Sequence, residues 1–231
     1  MHMRAFVHLI AFLLLAIPAM QAQDVNAFDS DGKRHGIWKK YFPNSKQLRY
    51  QGEFNHGKEV GTFKFYCEDC GEQPVLVKEF TADSDLATLN YYTPGGRLES
   101  TGQMQGKMKT GSWTYFHKDG KTPMVVESYK NDQLEGVKTT YYPNGSKTEV
   151  VNYSQGKREG ESRYYSPAGT EIKFFTFKND MLNGPVRYYD AKGNLLVEGN
   201  YKDDAKHGLW KYFEGGKVVK EERFPKPNGQ K

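Results

Sequence analysis

The stretch Gly111-Ser112-Trp113-Thr114-Tyr115-Phe116 returns late in the chain as Gly208-Leu209-Trp210-Lys211-Tyr212-Phe213, and early as Gly36-Ile37-Trp38-Lys39-Lys40-Tyr41-Phe42. Outward from these three copies, glycine recurs at Gly61, Gly136, Gly160 and Gly184, in steps of 24 or 25 residues. One double step, from Gly61 to Gly111, has its missing member at Leu86. Five residues after every one of these anchors stands an aromatic: Tyr41, Tyr66, Tyr91, Phe116, Tyr141, Tyr165, Tyr189 and Phe213. A fixed period of this length is the mark of a repeat architecture.

Other positions keep the same period. Seven residues before an anchor comes Phe54, Met104, Tyr129, Tyr153, Phe177 or Tyr201. A polar turn follows it, as in Asn55-His56-Gly57-Lys58 or Lys130-Asn131-Asp132. A second turn follows the later aromatic, as in Pro143-Asn144-Gly145 and Lys118-Asp119-Gly120. Gly, Asn and Asp tolerate the positive φ of tight hairpin turns, and Pro presets the first corner. Each unit therefore predicts strand, turn, strand, turn, a length that two typical strands fill without slack. No stretch of the mature chain keeps the spacing of an amphipathic helix. The predicted fold is all-β, an elongated array of about eight stacked β-hairpins in which neighbouring units supply the burial that one hairpin lacks.

Residues two and four after the anchors form a further aromatic row: Trp38, Phe63 with Phe65, Trp113 with Tyr115, Tyr164, Tyr188, and Trp210 with Tyr212. Strand alternation predicts this row on the face opposite the aromatic at position five. In a chain with 16 Tyr, 14 Phe and 3 Trp but few aliphatics, these rings have to supply packing surface first. Aromatic side chains also dominate binding hot spots. Trp38, Phe63, Trp113, Tyr115, Tyr164, Tyr188, Trp210 and Tyr212 are accordingly the candidate binding residues.

The pattern Gly-x-Trp-x-x-Tyr-Phe, with its Gly-Lys turns, resembles the MORN repeat, and more closely the MORN repeat variant of bacterial antitoxin-type repeat proteins. It covers roughly residues 28 to 224. The resemblance implies consecutive hairpins in an elongated twisted sheet used as a scaffold or interaction surface, with phospholipid binding or an antitoxin role in some members. The third unit departs from it, with Leu86 and Thr88 in place of the glycine and the tryptophan.

The ends divide the chain further. A positive start at Arg4, an apolar run from Ala5 to Ile17 and small residues at Ala19 and Ala22 predict a secretory signal peptide over 1–22. A partial repeat is expected over 23–35, eight repeats over 36–224 and a tail over 225–231. Pro225 and Pro227 close the last unit, where the N–H of a further strand would be missing. An exported protein is expected, in the periplasm, on the outer envelope or secreted. The 33 basic residues exceed the 28 acidic ones by 5, and the two signs alternate along the chain. Nucleic-acid binders concentrate positive charge on one face, so no nucleic-acid partner is expected.

Only Cys67 and Cys70 stand outside the repeat with chemical potential. A zinc site needs about four ligands and no second pair exists. An activated redox pair needs a cation or a helix N-terminus rather than Glu68 and Asp69. A small disulfide clipping one loop, or two spare thiols, is favoured over redox or metal chemistry. His35 and His207 share one repeat position, His56 and His117 lie in turns, and no two have local ligand spacing. No metal site and no cofactor are expected, and no carboxylate breaks the repeat in the manner of a catalytic residue. The expected function is a non-catalytic, exported scaffold that binds another protein at the cell envelope by many contacts in register. Its rivals are a cell-wall carbohydrate-binding repeat and attachment to an anionic membrane surface through Lys33-Arg34, Lys157-Arg158 and Lys206-His207.

Overall fold

The computed structural model describes residues 24–82 and 84–226. The expected signal peptide and the end of the tail lie outside those residues. The described chain contains strands and turns and no helix.

The first strands are β1 (Ala27–Phe28), β2 (Arg34–Tyr41), β3 (Leu48–Asn55), β4 (Lys58–Phe65), β5 (Leu76–Phe80) and β6 (Leu86–Tyr92). The middle of the array holds β7 (Leu98–Gln105), β8 (Met108–Phe116), β9 (Pro123–Lys130), β10 (Gln133–Leu134), β11 (Gly136–Tyr141), β12 (Lys147–Ser154) and β13 (Lys157–Tyr165). Last come β14 (Glu171–Lys178), β15 (Met181–Leu182), β16 (Gly184–Tyr189), β17 (Leu195–Lys202), β18 (Ala205–Glu214) and β19 (Lys217–Phe224). β10 and β11 are one strand interrupted at Glu135, and β15 and β16 one strand interrupted at Asn183. Eight full hairpins thus follow the short β1. Every strand pairs antiparallel with its neighbours in the chain, and β1 and β19 form the two open edges.

The hairpins join edge to edge in one layer. All substantial contacts between elements are between strands adjacent in this meander. The two long edges of the sheet carry different turns for a simple reason. At the edge nearer the anchors, His56-Gly57, Asn131-Asp132, Gln155-Gly156, Asn179-Asp180 and Asp203-Asp204 all have positive φ at both positions. These are the two-residue turns that match strand twist. At the other edge most turns are longer and close with a single positive-φ glycine, as where Tyr142 N–H meets Ser146 C=O and Gly145 N–H meets Tyr142 C=O, although the last, Gly215-Gly216, is again a two-residue turn.

All seven anchor glycines have positive φ, between 62° and 118°. Four of them mark β-bulges within hairpin ladders. The ladders β3–β4, β7–β8, β12–β13 and β17–β18 slip register beside Gly61, Gly111, Gly160 and Gly208. A side chain would strain that backbone, which is why the residue is Gly.

The third unit needs one correction. β5 pairs β6 with no register slip. Without a bulge, the position equivalent to the anchor is Ala87, which faces Met104 as Gly36 faces Phe54, rather than Leu86. Its later aromatic is Tyr92, which faces Leu98 as Tyr41 faces Leu48, rather than Tyr91. The glycine is missing there because no left-handed residue is required. Everything after the absent bulge shifts by one, so Ala87, Leu89 and Tyr91 turn to the aromatic face, where Ala87 and Leu89 pack with Trp113.

Candidate binding surface

The aromatic face is built from facing pairs of complementary size. Register places Gly52 opposite Phe63, Gly102 opposite Trp113 and Gly199 opposite Trp210. A Cβ on any of these three glycines would overlap the ring lying across it. Where the later position is small, the earlier one is not glycine: Val151 faces Ser162, and Phe175 stands opposite Val186. In one unit the pair is ionic, with Lys138 Nζ 3.2 Å from the carboxylate of Glu127. The Tyr129 hydroxyl donates to that same carboxylate at 2.7 Å. Burial, and then this carboxylate, raise the Tyr129 pKa well above the ordinary phenol value.

Each tryptophan also satisfies a backbone group. Trp113 Nε1 donates to Gln103 C=O at 2.9 Å, Trp210 Nε1 to Asn200 C=O at 3.1 Å, and Trp38 Nε1 to Ala27 C=O at 3.0 Å. The first two acceptors lie beside the bulges, where the ladder leaves a carbonyl free. From two residues before the anchors, cations cover the rings. Lys109 Nζ lies 4.5 Å from the Trp113 ring centre, Lys206 Nζ 4.1 Å from Trp210, and the Arg158 guanidinium 4.1 Å from Phe177.

This packing divides the expected binding residues into two sets. Phe63, Trp113 and Trp210 are at most 2% exposed. Phe63 lies flat on Gly52, and Trp113 and Trp210 lie flat on Gly102 and Gly199 beneath Lys109 and Lys206, so packing within the sheet takes up most of these three rings. Trp38 is half-buried against Phe28 and Phe54. The residues four after the anchor differ: Tyr115, Tyr164, Tyr188 and Tyr212 are all half-buried. Cross-strand register extends their row through Tyr91, Phe65 and Tyr50 on the earlier strands. Between the last rings lie Lys173 and Val197, and Lys220 follows Tyr212 on the edge strand. An aromatic thus stands on every second strand from β4 to β8 and again from β13 to β18, about 9–10 Å apart at normal strand spacing, with Val125, Thr140 and Glu149 in the gap between the two runs. Burial raises the phenol pKa of Tyr91, Tyr164, Tyr188 and Tyr212, so these four hydroxyls stay protonated and able to donate hydrogen bonds at physiological pH.

A cleft of about 390 Å³ opens on this row where Tyr91, Met104, Trp113 and Tyr115 meet Lys109 and Asp132. Asp132 accepts the Lys109 N–H there at 2.6 Å, so its carboxylate ties one hairpin tip to the next. Asp180 and Asp204 do the same for Arg158 and Leu182. A second cleft, about 470 Å³, lies beside Gln47, Tyr66 and Gly71. Its wall is the loop after β4, in which Cys67 and Cys70 form a disulfide. The Gln47 amide holds that loop, donating to Cys67 C=O at 2.7 Å and accepting from Asp69 N–H at 3.1 Å.

The opposite face carries a different row. Through its middle run Thr101, Thr114, Val126, Thr139 and Val150, and towards the last strands Arg163, Phe174, Arg187, Glu198 and Lys211. The cations here are engaged: Arg163 bridges Glu161 and Glu171 at 2.8 Å each, and Lys211 meets Glu198 at 3.5 Å.

One cluster was not legible in the sequence. Asp29, His35 and His56, from two different turns and the start of β2, bring their ligand atoms within 4.8 Å of one another. His207, in the same repeat position as His35, is not part of that cluster.

A family model described as the MORN repeat variant matches residues 134–155 and 182–203. Both matched units begin at a leucine two residues before the anchor, Leu134 and Leu182, where four other units carry a ring-covering cation, Arg34, Lys109, Arg158 or Lys206. No curated protein matches the chain.

Proposed function

We propose that this chain, whose repeats match the MORN repeat variant over residues 134–155 and 182–203, is a non-catalytic scaffold binding a partner protein at the cell envelope, since repeats of that class commonly serve protein or membrane interaction. The observation that carries this reading is the run of half-buried tyrosines, Tyr164, Tyr188 and Tyr212, on alternate strands of a single-layer sheet. Tyrosine offers a rigid apolar body and a polar tip at small conformational cost, which suits protein interfaces. A regular row multiplies weak contacts, so affinity comes from the number of units engaged.

Two rival surfaces lose support. Glycan stacking would want flat, open indole faces, and Trp113 and Trp210 are closed. Attachment to anionic lipid would want free turn cations, yet Arg34, Arg158 and Lys206 lie over Phe54, Phe177 and Trp210. Support for a non-catalytic role comes from Asp132 beside the cleft of about 390 Å³ and from Asp180 and Asp204 along the turns, whose carboxylates are spent on backbone N–H groups. Support for export comes from the N-terminal leader pattern and from the Cys67–Cys70 disulfide, which suits an oxidising compartment.

The test is a pull-down with residues 23 to 231 on envelope extract, comparing the native protein with Tyr164→Ser/Tyr188→Ser. A specific, protease-sensitive partner captured by the native protein and released by the double variant, with unchanged circular dichroism, is expected. Retention of protease-resistant polysaccharide or lipid, with no protein enriched, would overturn the proposal. Trp113→Ala is unsuited to this purpose, because removing a buried indole costs about 3–5 kcal/mol.

A further inference from the structure

The cluster at the start of the array has the composition of a metal site. Asp29 lies in the turn between β1 and β2, His35 in β2 and His56 in the turn between β3 and β4. The Asp29 carboxylate is fixed: its Oδ1 accepts the N–H groups of Asp31 at 2.9 Å and Lys33 at 2.8 Å. Its Oδ2 therefore faces His56 Nδ1, at 2.6 Å. His56 is fixed in turn, because Gly57 N–H reaches across to Arg34 C=O at 2.8 Å. The His35 ring lies 5.0 Å from the His56 ring, inclined at 46°. The carboxylate is shielded, with 8% of the Asp29 side chain exposed against 65% of His56, so one anchored anion meets two open imidazoles.

We propose that Asp29, His35 and His56 bind one borderline divalent transition-metal cation, of which zinc is the type, and that the cation staples the N-terminal turn to the adjacent hairpin tip. Two imidazole nitrogens and a carboxylate oxygen are the donors such ions take, whereas calcium and magnesium prefer oxygen alone. Bonds of about 2.0–2.1 Å require the donors to close together, and rotation of the exposed imidazoles supplies that closure. Water or a group from a partner fills the remaining position of a tetrahedral set. The surrounding charges are already engaged, Lys33 with Asp31 and Arg34 over Phe54. The gain is structural. β1 contributes only Ala27 and Phe28 to the sheet, so this end has little ladder to hold it, and the terminal units of a repeat array need capping.

The experiment is a calorimetric titration of the untagged mature protein with zinc chloride at pH 7.5, alongside hydrogen exchange of the amides in β1 and β2. One equivalent should bind, and His35→Ala, His56→Ala and Asp29→Asn should each weaken it at least tenfold. Asn keeps the turn-forming oxygen, so Asp29→Asn retains the fold. His207→Ala should leave affinity unchanged. Zinc should slow exchange in β1–β2 of the native protein and not of His56→Ala. Affinity should fall as the pH is lowered, because protons compete with the metal for the imidazole nitrogens. Unaltered binding in His35→Ala and His56→Ala, an equal loss in His207→Ala, or no zinc binding at all would each overturn the proposal.

Discussion

A single hydrogen atom at Gly102 decides whether Trp113 can lie down. The indole occupies the space a Cβ would take, and the same is true of Gly199 beneath Trp210. Gly199→Val should therefore destabilise the protein by about 1–3 kcal/mol through overpacking. Combining it with Trp210→Ser, which copies the Val151–Ser162 pair, should return part of that loss in a denaturation series; strict additivity of the two costs would refute the size-pairing argument. Ser162 itself is buried, and its hydroxyl has no protein hydrogen-bond partner. Ser162→Ala should be neutral or stabilising by about 1 kcal/mol, as chemical denaturation would register. The sequence displayed the large rings plainly because they recur eleven residues after their glycines. The pairing itself was hidden, since the bulge alters the facing register and alternation alone does not predict it.

Among the elements, the turns carry the pH dependence. Asp119 is held down to about 2, first by the Thr122 hydroxyl and then by the Lys121 and Thr122 N–H groups. Asp190 is lowered by Asn194 and Lys192, Asp180 by Arg158, and Asp29 by Lys33. A carboxylate whose folded pKa is depressed adds stability above its unfolded value, ~3.9, and that stability is lost as pH falls through the folded value. The melting temperature should thus fall between about pH 4 and pH 2. Asp119→Asn with Asp190→Asn should flatten the fall while preserving the fold, because Asn144 already makes the equivalent turn to Ser146. A melting curve against pH with unchanged slope would refute the assignment. The turn residues were readable one by one from Gly, Asn and Asp. Their second duty, in which Asp132, Asp180 and Asp204 each grip the preceding hairpin, depends on neighbours more than twenty residues away.

At the scale of the whole molecule, contacts between neighbouring strands are all that hold the array together, so stability should accumulate unit by unit. A chain ending at Lys202 should keep its strand signal in circular dichroism and melt roughly 5 °C lower; loss of the entire signal would show a cooperativity that nearest-neighbour contacts cannot supply. Period, composition and turn chemistry in the sequence were enough to determine the all-β repeat, its hairpins and their number, because a bulge glycine, a ring and a tight turn are each local demands repeated in register. What depended on the tertiary structure was every choice between the two faces and across the strands. The missing bulge between β5 and β6 moved the third unit by one residue, from Leu86 to Ala87 and from Tyr91 to Tyr92. Burial separated Phe63, Trp113 and Trp210 from the half-buried tyrosines. Asp29, His35 and His56 became neighbours only because two turns close at the same edge of the sheet. Alternation along one strand cannot contain such facts, since accessibility and ligand geometry belong to the strands on either side.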